Sequence, residues 1–160
     1  MRTTPTPLVF AMASACLATL ASCGGGGDPA PPPAPGPITL SGTVMVDQAI
    51  QNAVVCLDLN ANGACDGAEP ASAKTDASGA YRLIYDPAVV TAAQAAAASL
   101  IAPMVPGAAA DAGTTLDAAD PGQPSTAKAY VLRQAPGKSG QINPLTTLVA
   151  AGVAAGMTEA

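Results

Sequence analysis

The chain has 160 residues, 11 acids, 6 bases and no histidine, for a formal net charge of −5 and a pI near 4.2; that is room for one domain of ordinary size. Alanine outnumbers Leu, Ile and Val together, and with three Tyr, one Phe and no Trp the core is thin, each missing aromatic forgoing ~150–250 Å² of burial. Without histidine, Ser-His-Asp, Cys-His and HExxH chemistries are excluded, and an acidic chain with no basic stripe or stacking aromatics speaks against nucleic acid.

Arg2 gives the N-terminus its positive charge, and residues 8–20 form an apolar stretch. That stretch is shorter than the ~18–20 residues that span a bilayer, so residues 1–22 read as a cleaved export signal. Leu20, Ala21, Ser22 and Cys23 resemble a bacterial lipobox. The resemblance implies cleavage before Cys23, a diacylglyceryl group on its thiol and a further acyl chain, such as palmitate, on its new amine. At ~0.8 kcal/mol per buried CH₂, several chains anchor a protein firmly to a membrane it does not cross. Gly24, where inner-membrane retention wants Asp, implies sorting to the outer membrane of a bacterium that has one. Residues 23–37 are then the lipidated Cys23 and a Gly/Pro-rich tether, its prolines favouring an extended polyproline II path.

The pattern changes at Ile38. Ile38, Leu40, Gly42, Val44 and Val46 alternate with Thr39, Ser41, Thr43 and Met45, the period-two signal of a half-buried strand. A second β-rich run covers 53–59, with Val55, Leu57 and Leu59 on one face and Val54 and Cys56 on the other; 71–75 reads as a short third strand. Asp76, Ala77, Ser78 and Gly79 make a turn in which Gly79 can take positive φ. In 80–85, Tyr81, Leu83 and Tyr85 share a face. Asp86 and Pro87 read as N-cap and N1 of an Ala-rich helix running to about Leu100, with 99–105 readable instead as a strand. Residues 107–126 are small, polar and turn-rich, a long loop, and 127–134 again resembles a strand. Asn143 and Pro144 repeat the cap signal. Leu145, Leu148, Val149, Val153 and Met157 then fall at helical spacing, predicting an amphipathic helix within 136–160 whose apolar stripe must pack somewhere.

One stretch carries chemistry. Residues 58–69 read DLNANGACDGAE and match D-x-[DN]-x-[DN]-G-x5-E, the pattern of a calcium loop. Asp58, Asn60 and Asn62 supply side-chain oxygens, Gly63 permits the bend, and Ala64 contributes its carbonyl. Asp66 binds directly or through water, and Glu69 closes the shell with two oxygens. Asparagines in place of aspartates weaken the attraction, which places the affinity within ~10⁻⁶–10⁻³ M. Strand-like residues before the loop and Pro70 after it rule out a helix–loop–helix frame. Cys16 lies in the signal and Cys23 takes the lipid, leaving Cys56 and Cys65 as an even pair in an oxidising compartment. A disulfide between them closes a ring of about ten residues, worth ~2.7 kcal/mol in chain entropy. Redox or thiolate-metal roles fit worse, because the spacing is not CxxC and no histidine is available.

ITLSGTVMVD (38–47), NAVVCLDLNANGACDGAEP (52–70) and KTDASGAYRL (74–83) together resemble the carboxypeptidase-regulatory-like, or transthyretin-like, module of exported bacterial proteins. The loop is also similar to that in the B-repeats of serine-aspartate-repeat adhesins. The resemblance implies a mainly β fold, a small antiparallel Greek-key-like sandwich over 38–135, here with added Ala-rich helical segments. It implies a non-enzymatic scaffold or interaction role at the cell envelope. A carbohydrate- or peptide-binding lipoprotein is the alternative, with a protein or glycan partner at the envelope, although Tyr81, Tyr85 and Tyr130 read as core residues. Asp111, Asp117 and Asp120 are the remaining candidates for paired-carboxylate chemistry and read as a solvated loop. INPLTTLVAAGV (142–153) resembles the segment joining such modules to helical regions in larger lipoproteins, which makes the N-terminal part of a longer protein a further expectation.

Overall fold

A computed structural model describes residues 33–158. The expected signal (1–22), Cys23 and the tether through residue 32 lie outside the described residues. Contacts divide the chain into Met1–Pro33 and Ala34–Ala160, and all the strands and helices named below belong to the second unit.

Where small polar and branched apolar residues alternate, strands form. β1 (Ile38–Val44) and β4 (Ala80–Tyr85) pair antiparallel from Ile38↔Tyr85 to Thr43↔Ala80. On β4, Tyr81, Leu83 and Tyr85 are buried, while Arg82 and Ile84 face out. The Asp76 turn sits just before β4: Asp76 Oδ1 accepts the N–H of Ser78 and Ala80, and Gly79 takes φ +71°. The run 53–59 is less regular than its composition suggests. It holds only β3 (Cys56–Asp58), preceded by the two-residue β2 (Ile50–Gln51). Residues 70–75 form no strand of their own. They hydrogen-bond along 52–57 through Leu57 N to Pro70 O, Ser72 N to Val55 O and Thr75 N to Ala53 O.

The Ala-rich stretch departs most from expectation. Asp86 caps a single turn, accepting Ala88 N at 2.8 Å, and Val90 is drawn into the core. The helix α1 is only Ala92–Ala97, opened by Thr91 and Gln94 in a reciprocal capping box. Ala98 is already extended, and β5 (Ser99–Met104) follows. Alanine's helix preference gives way because β5 pairs with β3 and with β7 (Tyr130–Arg133) and buries Leu100, Ala102 and Met104. The stretch 107–126 is pinned rather than loose. β6 (Leu116–Asp117) pairs with β2, and Thr114 and Thr115 are buried. Asp111 and Asp117 each cap a local turn, accepting Ala108 N and Ala119 N.

The 136–160 stretch is not helix alone. β8 (Gln141–Ile142) lies parallel to β1, a departure from all-antiparallel pairing. α2 (Pro144–Ala154) follows, with Asn143 as N-cap. Its Leu145, Leu148 and Val149, and Met157 just beyond it, are exposed, and Ala150 and Gly152 are the buried positions. The spacing correctly predicts a helix, but small residues rather than the large apolar stripe face the sheet.

The described residues thus form a mainly β unit of three small sheets, ordered β4-β1-β8, β2-β6 and β3-β5-β7, with two helices. One core draws on Val44, Tyr81 and Leu83 from the first sheet, Ile50 from the second and Leu57, Leu100 and Leu132 from the third. Tyr81 and Tyr85 belong to it; Tyr130 is 38 % exposed, against the expectation for all three. Among the described residues no helix is long and apolar enough to cross a membrane.

Candidate functional site

The β3-β5-β7 sheet has two working faces. Register places Leu57 opposite Leu100, and Ala102 opposite Leu132, on the face that joins the core. Alternation puts Cys56, Asp58, Ser99, Ile101 and Arg133 on the other face. Cys56, Ile101 and Arg133 form one cross-strand row, and Asp58 sits opposite Ser99 in the next.

Asp58 ends β3 and opens the acidic loop. Leu57 N on Pro70 O, at 3.0 Å, closes the loop's base. Cys56 and Cys65 are joined in a disulfide, as the cysteine arithmetic requires, with Cα atoms 5.6 Å apart. The bridge ties the loop's middle to the buried strand.

Within 58–69 each predicted ligand has a definite place. Asp58 is 3 % exposed; its Oδ1 accepts Asn62 N and its Oδ2 accepts Gly63 N, both at 3.0 Å. Asn60 Oδ1 accepts Asn62 N, and Asn62 Oδ1 accepts Ala64 N. The two carboxamide nitrogens converge on Asp66 Oδ2, at 2.8 and 2.7 Å. Glu69 takes Leu59 N on Oε1 and Asp66 N on Oε2. Gly63 bends the loop at φ +77°, as its position predicts; Ala61 shares that left-handed conformation at φ +59°, which nothing in its side chain announces. Asn60, Asn62, Ala64 and Asp66 lie toward the solvent side of the loop, Asn60 and Asp66 among its exposed residues.

The loop therefore brings its oxygens together but turns them on its own N–H groups. Among the described residues no cluster of three or more His, Cys, Asp or Glu is arranged to hold a metal ion. The donor chemistry nonetheless fits a hard cation. A carboxylate has about four acceptor positions and an amide oxygen two, so Glu69, Asn60 and Asn62 keep capacity beyond the bonds above.

Arg133, from β7, has no counterpart among the residues that the sequence singles out. Its Nη1 lies 3.3 Å from Asp58 Oδ2, a salt bridge across 75 residues of chain. The guanidinium also lies against Gly63, where an added Cβ would collide with Nη2. Only the chain's return through β5 brings these residues together, so no local pattern could reveal the pair. Beside it opens a cavity of about 650 Å³, lined by Asp58, Ser99, Arg133, Thr147 and the small residues Ala150 and Ala154 of α2.

Against the known protein families, the curated proteins and the solved structures, the chain has no match.

Proposed function

We propose that the chain is a non-enzymatic, lipid-anchored protein of the cell envelope, sorted to the outer membrane. Its β unit, a small Greek-key-like sandwich, serves as a calcium- and disulfide-stabilised scaffold or interaction module. The reading is carried by the 58–69 loop, where three carboxylates and two carboxamides are gathered on one short segment stapled to a buried strand by Cys56–Cys65. Asp58, Asn60, Asn62, Ala64, Asp66 and Glu69 would hold the ion, which supplies the positive charge that lets these oxygens face one another. The sandwich is supported by two three-stranded sheets contributing to one core, and the anchor by the lipobox ending in Cys23. A glycan site finds less support, since Tyr81 and Tyr85 are buried and Tyr130 alone remains as an aromatic platform among the described residues.

Two measurements test this, metabolic labelling in cells that produce the protein and melting of the full chain in detergent. Radiolabelled fatty acid should mark the wild type and not Cys23→Ala; label retained by the variant refutes the anchor. Millimolar calcium should raise the melting temperature of the wild type and not that of Asp66→Asn, which removes a charge from an exposed position. An unchanged wild-type melt refutes the calcium reading.

A further inference from the structure

We propose that Arg133 sets the calcium affinity of the loop: in the metal-free protein its guanidinium is the resident counter-cation of Asp58, and a calcium ion must displace it. The inference rests on the calcium reading above and adds a residue that the loop pattern does not contain.

Asp58 needs a positive charge beside it. Its side chain is 1 % exposed, and a buried carboxylate without a compensating charge is strongly unfavourable. Two backbone N–H groups reach it, but the full positive charge comes from Arg133 Nη1 at 3.3 Å. A divalent ion bound by Asp58 occupies that same electrostatic position. Guanidinium and ion repel at such range, so an ion binding Asp58 works against the pair that Arg133 makes with the same carboxylate.

The structure also provides for the exchange. The Arg133 side chain is 34 % exposed, against 1 % for that of Asp58. The cavity of about 650 Å³ beside it is walled by Thr147, Ala150 and Ala154 and has room for a swung-out guanidinium. The backbone of Arg133 is held apart from this motion, its N–H on Thr147 Oγ1 at 2.8 Å and its carbonyl accepting from Thr146 Oγ1. A pivot about a fixed backbone is what a displaceable side chain requires. At position 63 only glycine leaves the guanidinium its present seat. Binding is thus a competition between two cations for Asp58, which lowers affinity without removing any ligand.

Calorimetry with CaCl₂ on the full chain in detergent, wild type against Arg133→Met, tests this. The methionine keeps the apolar stem and removes the charge. The expected result is calcium bound about tenfold more tightly by the variant, within the ~5–150-fold span of such couplings, with Arg133→Lys between the two. Wild-type binding with equal or weaker binding by Arg133→Met overturns the inference and leaves the calcium reading standing. Failure of both proteins to bind removes both. Should the methionine variant not fold, the wild type decides alone: calcium should shift the Arg133 Nε–Hε resonance and speed its exchange with water. A resonance unmoved at calcium saturation overturns the proposal.

Discussion

Thr75 shows how much of this fold rests on single polar side chains. It is 2 % exposed, its Oγ1 accepting Ala53 N at 2.9 Å and donating to Ile50 O at 2.6 Å. Thr75→Val keeps the shape and orphans both backbone groups, so it should cost ~1–3 kcal/mol in urea unfolding. Tyr81 is the corresponding case on β4. Its hydroxyl donates to Gly140 O at 3.0 Å, and burial raises its pKa above the ordinary 10.0, outweighing the Gly140 N–H that favours the phenolate. A pKa higher in the folded chain means that the folded state holds the proton more tightly. The stability that this group contributes is therefore complete below pH 10 and lost as pH rises through the folded value. Tyr81→Phe should lose ~0.5–1.5 kcal/mol at neutral pH and show a smaller alkaline loss, read from melts across the alkaline range. At this scale the sequence was legible wherever backbone geometry singles out a residue type, as at Gly63 and Gly79. It was silent on Arg133 and Ala61, whose roles come from a distant strand and from the loop's path.

The elements were legible in proportion to how little they depend on distant partners. The alternation in β1 and β4, the cap at Asn143 and the turn from Asp76 to Gly79 are local signals, and the chain follows them. The Ala-rich stretch carries a helix propensity that spacing cannot weigh against pairing with β3 and β7; β5 follows the strand reading of 99–105 and not the helix running to Leu100. α2 inverts the usual rule. Thr146 and Thr147 bind the Arg133 carbonyl, which turns the helix's small face inward and its Leu145 and Leu148 outward, each 68 % exposed. The two faces should therefore respond oppositely to substitution. Leu148→Lys should change unfolding free energy by no more than ~0.5 kcal/mol, whereas Thr147→Val, which takes away the hydroxyl that accepts Arg133 N at 2.8 Å, should cost ~1–3 kcal/mol. Equal effects in chemical denaturation would contradict this orientation.

For the whole molecule the question is what compensates for so little aromatic and long aliphatic burial. Two tyrosines and a set of Val, Leu and Ile fill a core reached from three small sheets, and short strands contribute few ladder bonds each. A covalent closure matters more in such a chain than in one with a large core. The Cys56–Cys65 bridge joins a residue wholly buried in β3 to the loop, nine positions on. It acts first on the unfolded chain, by removing the freedom of that segment, and then on the site, by limiting how far the oxygens of Asn62 and Asp66 can drift from Asp58. Cys56→Ala/Cys65→Ala should accordingly lower unfolding free energy by ~2.7 kcal/mol without calcium. If the bridge also preorganises the loop, the same variant should lose calcium affinity, because the ion must then order a segment that the disulfide had already confined. Urea melts with and without saturating calcium separate the two contributions. An equal loss in both leaves the bridge a purely structural closure, whereas a larger loss with calcium makes sulfur and ion two clamps on one loop.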